Sequence, residues 1–528
     1  MGYTSYVYLL VFLGATFLAY TVAPLRFKWC VLLLASAAFY VVSSRFLTVF
    51  LLAATLTVYL SGLWLGRVQR RYEQRRQSLP REERKALKQQ TTRMKKRIVA
   101  LMILLNFGML FFLKYYNFFG SNVNWLFGAL GAPLQLPQLR LALPLGISFY
   151  TLQAASYVID IYRGKIAPDR HLGRIALFLC FFPQITEGPI GRYDQLAPQL
   201  YQGHRFDYRR TAFGLQLIVW GLFKKLVIAD RANMFVNTVF DQFGSYSGLT
   251  VLIAMLLYTL QIYAEFSGVM DIVTGSAQLF GVNLSPNFRR PFFARTVDEF
   301  WRRWHITLGA WLRDYVFYSV SLSKPFMSFS KALKRHNEYL AKLLPVATAL
   351  FCVWFGCGIW HGASWKYVAY GMYYYLIMLS GLALEPLFGK ALSALHVNRE
   401  SRGYRFFQVA RTFLLVNVGM LLFRAESLTA FFHMLASIFT GFSASVFADR
   451  FLLSLGLDAH DFLILGFGVA VLFAVDLLQE RGIQLRARVA QQRLVWRWAL
   501  YFAAIFAVIL FGAYGYGYDP VPLIYAQF

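Results

Sequence analysis

Apolar residues in this 528-residue chain gather into long stretches, separated by short segments rich in arginine and lysine. The first three apolar segments fall at about 6–22, 29–44 and 46–65, each near the ~20 residues that carry a helix across a bilayer. The start, Met1 to Tyr6, lacks the basic region of a cleaved signal peptide, so the first segment is expected to stay as a helix. The strongest charge run follows, Arg67 to Arg97, with basic residues such as Arg70, Arg71, Arg75, Arg76, Arg84, Lys85, Lys88 and Lys96 against Glu73, Glu82 and Glu83. Such an excess of positive charge places the loop in the cytoplasm and, three crossings earlier, the N-terminus outside. The loop itself is expected to form a helix lying on the inner membrane face.

Segment 98–117 runs outward to a charge-poor loop at 118–140, and segment 143–162 returns. The stretch Ile175 to Ile185 is too short to span and breaks at Phe182-Pro183-Gln184 and again at Gly188-Pro189-Ile190. It reads as re-entrant or shallow, because irregular backbone at membrane depth survives only inside protein or along a watery cavity. After segments 210–228 and 247–264 come two carboxylates and a Ser-Gly break, Glu265-Phe266-Ser267-Gly268-Val269-Met270-Asp271, then a short apolar run at 272–281. From Asn287 to Asp314 the chain is polar, with Trp301, Trp304 and Trp311 at helical spacing, which predicts amphipathic helices partly sunk in the membrane. A basic loop, Lys324 to Lys342, precedes segment 344–360, which carries His361 toward the outer half; further apolar segments lie at about 365–385, 406–423, 427–441, 460–478 and 496–515. The pattern predicts an all-α, polytopic transmembrane bundle of ten or more spans with re-entrant or amphipathic helices, as one membrane domain over 1–528.

Composition agrees. Residues are 58% hydrophobic and 15% charged, against roughly 25% charged in soluble domains. The net charge of +28 sits in loops, where orientation and anionic lipid headgroups explain it, so lipids rather than nucleic acid are the expected contact. Cys30, Cys180, Cys352 and Cys357 lie in or beside apolar runs, without a disulfide framework or CxxC spacing.

Two histidines stand out. A titratable group at membrane depth is costly and therefore a functional candidate. His361 lies in Phe355-Gly356-Cys357-Gly358-Ile359-Trp360-His361-Gly362, and His305 in Asp298-Glu299-Phe300-Trp301-Arg302-Arg303-Trp304-His305. Neither has a His, Cys or carboxylate three or four residues on, and no HExxH occurs, so no metal is expected. A neutral imidazole in an apolar pocket suits general-base chemistry, and Gly358 and Gly362 would let a substrate approach closely. There is no GxSxG elbow, which disfavours a nucleophilic serine at Ser267. Arg302 and Arg303 are expected either to bind a phosphate-bearing cofactor or to pair with Asp298 and Glu299.

The runs Leu143-Pro144-Leu145-Gly146, Gly188-Pro189-Ile190, Glu299-Phe300-Trp301-Arg302-Arg303-Trp304-His305, Trp311-Leu312-Arg313-Asp314-Tyr315 and Trp360-His361-Gly362, all within 143–365, resemble those of membrane-bound O-acyltransferases. The bacterial alginate O-acetyltransferase-like branch fits best, and the ending Pro520 to Phe528 is similar to it too. The resemblance implies a helical bundle around a central tunnel in the bacterial cell membrane, with a core near 143–365 and extra helices over 406–528. It implies His361 as catalytic and His305 as a second important histidine. Trp360, Trp304, Arg302, Arg303, Asp314, Glu265, Ser267 and Asp271 become candidates for the tunnel and substrate region. The donor it implies is an acyl thioester, acetyl-CoA first or a carrier-protein thioester, with no resident cofactor. The acceptor would be a hydroxyl of an exported polysaccharide, or an extracytoplasmic accessory acyltransferase that finishes the transfer. Two departures bear on preference: Glu265 where the family often has Asp, and Glu187 where a smaller or amide residue often precedes Gly-Pro. The alternatives are a D-alanyl transfer protein of teichoic acid modification and, from another class, a glycan transporter without acyl chemistry.

Overall fold

The computed structural model describes residues 2–442, 447, 450–515 and 518; the Pro520 to Phe528 ending lies outside the described residues. About 78% is helix, and among the described residues the only strand-like feature is an isolated antiparallel bridge between Phe288 and Trp304. Eight helical stretches are long and apolar enough to cross a membrane, or nine if a pair bent by 56° at 365–394 is one span. Two shorter apolar helices lie at Val7–Val22 and Leu428–Thr440.

The chain divides into two compact units, Met1–Leu215 with Val273–Ser285, and Gln216–Ile272 with Pro286–Phe528. The first unit contains α1 (Leu13–Val22), α2 (Lys28–Ser44), α3 (Thr48–Ser78), α4 (Arg81–Ala129), α5 (Ile147–Arg163), α6 (Leu172–Cys180) and α7 (Tyr193–Gln202). The basic run does not form a separate surface helix. It makes up the facing ends of α3 and α4, which pack against each other and are interrupted only at Leu79-Pro80. Long runs of good helix formers carry the helix straight through the change from apolar to basic sequence.

As expected, the stretch after α6 is irregular and fully inside protein: residues 181–190 are all buried. Side chains of other segments satisfy the Phe182 backbone, as buried polar groups require. Tyr3 donates its hydroxyl to the Phe182 carbonyl at 2.9 Å, and the Phe182 amide donates to Ser36 Oγ at 3.1 Å. Gly146 turns the chain into α5 with φ +69°, and a β-carbon there would stand 2.0 Å from the Ile185 carbonyl oxygen. Both the left-handed turn and that contact require glycine.

Two helices have residues in both units: α8 (Tyr208–Leu222), followed by the π-turn Phe223–Ala229 and α9 (Asp230–Asp241), and α10 (Gly248–Leu279). The second unit then continues with α11 (Val297–Arg303), α12 (Ile306–Leu312), α13 (Tyr318–Ser321), α14 (Lys324–Lys334), α15 (Glu338–His361), α16 (Trp365–Ala383), α17 (Glu385–Ala394), α18 (Arg402–Arg424), α19 (Leu428–Thr440), α20 (Ala459–Glu480), α21 (Leu485–Ala490) and α22 (Leu494–Phe511). The Ser267-Gly268 break expected from sequence is absent, and α10 is continuous through it. Gly268 serves a helix crossing instead. A β-carbon on Gly221 would lie 2.4 Å from the Gly268 carbonyl oxygen, and one on Gly268 2.8 Å from that of Gly221.

That crossing gives a test. Gly221→Ala or Gly268→Ala forces a methyl against backbone and is expected to destabilise by about 1–3 kcal/mol. Gly466→Ala in α20, which has open space around it, is expected to leave stability unchanged or raise it by up to ~1 kcal/mol. Thermal unfolding in detergent, followed by a dye reacting with the buried thiols of Cys180 and Cys357, reads both.

Candidate active site

Between α11 and α12 the chain breaks at two residues, Trp304 and His305. His305 has φ 46° and ψ 50°, left-handed backbone that a non-glycine residue adopts only when its surroundings impose it. The imposing segment is 287–289. Arg289 donates its amide to the Arg303 carbonyl at 2.9 Å, and Ile306 donates its amide to the Asn287 carbonyl at 3.0 Å. The Asn287 side chain adds a further cap, accepting from the Thr307 amide at 3.0 Å and the Thr307 hydroxyl at 2.9 Å. The first amides of α12, orphaned by helix geometry, thus find partners on a distant segment. The expected amphipathic helices over 297–312 are present but short, and this turn carries His305 inward.

His305 and His361 are both buried, 3% and 4% exposed, and both line one cavity of about 70 Å³ with Trp304, Cys357, Tyr370 and Phe423. Trp360 stands beside both, its ring centroid 5.8 Å from that of His305 and 5.0 Å from that of His361. Phe423 and Tyr370 meet His361 edge to face at 5.2 and 5.7 Å, and Phe266 meets His305 the same way at 4.9 Å. Burial pushes the His305 imidazole down from 6.5 to about 3, because an apolar enclosure disfavours the cation. The ring is therefore neutral throughout the physiological range.

Gly358 and Gly362 serve packing rather than substrate approach. A β-carbon on Gly358 would lie 2.4 Å from the Tyr367 carbonyl oxygen, and one on Gly362 2.4 Å from the Tyr367 ring. Together they let α16 lie close against the end of α15 that presents His361.

A second, larger cavity of about 1240 Å³ adjoins the first and shares Trp301, Gly309, Val353 and Trp354 with it. Its wall holds Arg302, Arg313, Arg399 and Arg411. Arg302 also pairs with Asp298 at 2.6 Å and Arg313 with Asp314 at 3.0 Å, so Asp314 holds a cavity arginine without being in the wall itself.

The remaining sequence candidates form a separate layer of ion pairs. Glu265 accepts from Lys225 at 3.2 Å, and Lys225 also meets Asp230 at 2.5 Å. Asp271 and Ser267 both accept from Lys224, at 2.8 and 2.9 Å. Arg303 bridges Glu299 on its own helix and Glu480 on α20, at 2.7 and 3.0 Å, and Arg290 joins Glu480 at 2.6 Å. Arg231 pairs with Asp461 and donates to the Phe511 carbonyl. None of Glu265, Ser267, Asp271 and Arg303 lines either cavity. The histidines, Trp304 and Trp360 come together, Arg302 belongs to the neighbouring cavity, and the acidic candidates Glu265, Asp271 and Asp314 pair with cations outside both walls or, for Asp314, with Arg313 of the larger one. Sequence reasoning missed Lys224 and Lys225. Their place in an otherwise apolar segment was a usable signal, since cations at that depth must find carboxylates. Asn287, Tyr370 and Phe423 carried no comparable signal. Among the described residues no group of three metal-ligating side chains occurs.

Sequence comparison matches residues 166–391 to the membrane-bound O-acyltransferase family. The chain is 30% identical over 445 residues to a probable alginate O-acetylase of Azotobacter vinelandii, covering 83% of this chain and 78% of that protein. It is 30% identical over 356 residues to a peptidoglycan O-acetyltransferase of Helicobacter pylori, 62% of each chain. A teichoic acid D-alanyltransferase of Bacillus subtilis is 26% identical over 236 residues, 44% of this chain and 58% of that one. The chain belongs to the membrane-bound O-acyltransferase family and is a multi-pass membrane O-acyltransferase.

The buried charges make a structural prediction. Lys225→Met strands Asp230 and Glu265 and is expected to cost about 3–5 kcal/mol, so little folded protein should survive detergent extraction. Replacing all three together (Lys225→Met, Asp230→Asn, Glu265→Gln) is expected to recover a monodisperse peak in size exclusion, because no unpaired charge is left behind.

Proposed function

We propose that this protein moves an acetyl group from a cytoplasmic thioester to a hydroxyl of an exported cell-surface polysaccharide, or to a partner protein that completes the transfer, with His361 as general base. The observation that carries this reading is the pair of adjoining cavities. One is small, apolar and lined by two buried histidines; the other is large, arginine-lined and separated from it only by Trp301, Gly309, Val353 and Trp354. The larger, at about 1240 Å³, lies slightly above the ~300–1,000 Å³ scale of small-molecule sites, and guanidinium groups are the side chains best suited to phosphate. A thioester on a phosphate-bearing carrier such as coenzyme A suits it, with the acyl end reaching past Trp301.

In the proposed reaction His361 takes the proton of the acceptor hydroxyl as that oxygen attacks the thioester carbonyl. A carbon–oxygen bond forms, the carbon–sulfur bond breaks, and the thiolate leaves with the sulfur's electron pair. A thiol's pKa of ~8.5 means the leaving group needs little acid help, and the imidazolium can return its proton to it.

Acetyl is preferred over D-alanyl on the chemistry of the small cavity. D-alanyl carries an ammonium, which a desolvated site must pair with a carboxylate. The cavity wall is His305, His361, aromatic rings and residues such as Ile262, Leu308, Leu312 and Met420, with no carboxylate. The relatives named as D-alanyltransferases also match a shorter part of the chain than the alginate acetylases. Loop charge supports the bacterial cytoplasmic membrane as location, with the basic segments 67–97 and 324–342 inside and the N-terminus outside. A transporter reading accounts for the irregular buried segments but not for relatives named as acyltransferases.

Two measurements follow. His361→Ala and His361→Gln are expected to lower acetyl transfer by about 10²–10⁴-fold while the protein stays folded. This is read as base-labile acetate on envelope polysaccharide and as thioester consumption in proteoliposomes, and full activity in both variants would refute the assignment. Arg302→Ala with Arg313→Ala is expected to raise the KM for a phosphate-bearing thioester about 10-fold or more, in line with the ~1.5–3 kcal/mol of charged hydrogen bonds. kcat should be largely unchanged, and a short thioester without phosphates should show no such effect.

A further inference from the structure

His305 can face a substrate either as a hydrogen-bond donor or as an acceptor, depending on which ring nitrogen carries its proton. The chain around Asn287 decides which. The backbone amide of Thr307 lies 3.0 Å from Asn287 Oδ1. A backbone N–H can only donate, so the atom it meets must be the amide's oxygen and not its NH2 group. The other end of the same amide agrees: Asn287 Nδ2 donates to the sulfur of Met270 at 3.2 Å. Two partners of fixed polarity therefore orient the Asn287 side chain.

That oriented oxygen also lies 3.3 Å from His305 Nδ1. An oxygen facing a ring nitrogen at this distance accepts, so Nδ1 carries the proton and donates it. Burial keeps the ring neutral, and a neutral imidazole has one proton only. Nε2 therefore holds the lone pair. His305 is part of the cavity wall, and with Nδ1 turned toward Asn287, Nε2 stands on the opposite edge of the ring.

We propose that Asn287 is a positioning residue that fixes His305 as its Nδ1–H tautomer, so that Nε2 meets the acceptor substrate as a hydrogen-bond acceptor for a sugar hydroxyl. This rests on the reading that acyl transfer takes place in the cavity shared by His305 and His361. It excludes one role for His305. A ring whose Nε2 bears no proton cannot donate to the oxygen of the thioester carbonyl, so His305 orients the incoming sugar through a hydroxyl other than the one that yields its proton to His361, and does not stabilise the oxyanion. The left-handed backbone at His305 has the same origin, since the Asn287 side chain and carbonyl together tie down the first turn of α12. One residue thus sets both where the ring sits and which nitrogen it offers.

The direct test is the nitrogen-15 spectrum of the full-length, histidine-labelled protein in lipid bilayers without substrate, with His305→Gln identifying the His305 signals. The expected result is a protonated Nδ1 and a pyridine-like, unprotonated Nε2; a protonated Nε2 overturns the proposal. In the activity assay, Asn287→Leu removes the acceptor oxygen while keeping the side-chain volume, and kcat is expected to fall about 10–100-fold with donor KM within about 2-fold. Asn287→Asp keeps an oxygen toward Nδ1 and Thr307, and is expected to retain the tautomer and to remain within about 5-fold of wild type. Thr307→Val, which removes a hydroxyl from the same oxygen without touching the ring, is expected to change kcat by less than about 3-fold. Equal losses in the Leu and Asp variants, or an undiminished kcat in Asn287→Leu, would also overturn it. Failure of the functional reading is distinct: full acetylation by His361→Ala would refute that reading, while the substrate-free spectrum would still report the tautomer.

Discussion

The rotation of α10 about its own axis is the constraint on which the site depends. Residues four apart share a helix face, and Ile262, Phe266 and Met270 form the face that builds the site. Ile262 lines the small cavity, Phe266 packs edge-on against His305, and Met270 receives the Asn287 amide. On other faces Glu265 and Asp271 are held by Lys225 and Lys224. A slip of one residue turns a helix by about 100°, which would remove Phe266 from His305 and swing two carboxylates into apolar surroundings. Buried ion pairs are weak sources of net stability, but breaking one is costly. Here that asymmetry fixes a rotation, and the Gly221–Gly268 contact fixes how closely α10 approaches α8.

The same constraint explains what could be read from sequence. Long apolar segments such as 344–360 and 460–478 reappear as α15 and α20 because span length is set by the bilayer rather than by neighbours. His361 and His305 stand out in the sequence for a related reason, since a titratable group in such surroundings is costly, and the structure buries both in the wall of one cavity. The roles of Gly268, Gly358 and Gly362 were not legible. A glycine reads as a break or an opening until the atom that would strike its β-carbon is known, and Gly221 and Tyr367 are far enough along the chain, or differently oriented, to give no local sign. Asn287 is hidden for the same reason. It lies 18 residues before His305, in a segment with no periodicity, and only the folded chain brings its amide to the ring. Arg302 and Arg303 show the limit of pattern reading most clearly. Adjacent residues on a helix point in directions about 100° apart, so one joins a cavity wall and the other a clasp with Glu480 on α20.

On the proposed reading the two cavities divide the chemical work by charge. The arginine-lined space holds its cations near the surface, where Arg302 and Arg313 remain largely exposed, at 76% and 59% of their side-chain area. Exposed guanidiniums keep most of their hydration, so their pairs with Asp298 and Asp314 are worth little and yield readily to a phosphate. The histidine cavity is the opposite case. Its wall is dominated by rings and aliphatic groups, water has little room, and any hydrogen bond formed there is strong because nothing competes for it. A large, arginine-bearing chamber beside a small apolar one suits a substrate whose recognition elements and reacting atoms lie at opposite ends.

On the proposed reading this dryness also sets the choice between hydroxyl and water as acyl acceptor. A thioester beside a basic imidazole is open to hydrolysis wherever water can sit in line with the carbonyl. A cavity of about 70 Å³ leaves room for only a few water-sized groups at ~10–15 Å³ each, and both the acyl group and the acceptor oxygen must enter it. Filling the space with substrate is then the means of excluding water, and a fixed acceptor at His305 Nε2 favours an entering group that can donate one hydrogen bond there and present a second hydroxyl to His361. A sugar with neighbouring hydroxyls can make both contacts while filling the space, so the two imidazoles favour it by the spacing of its donors rather than by charge.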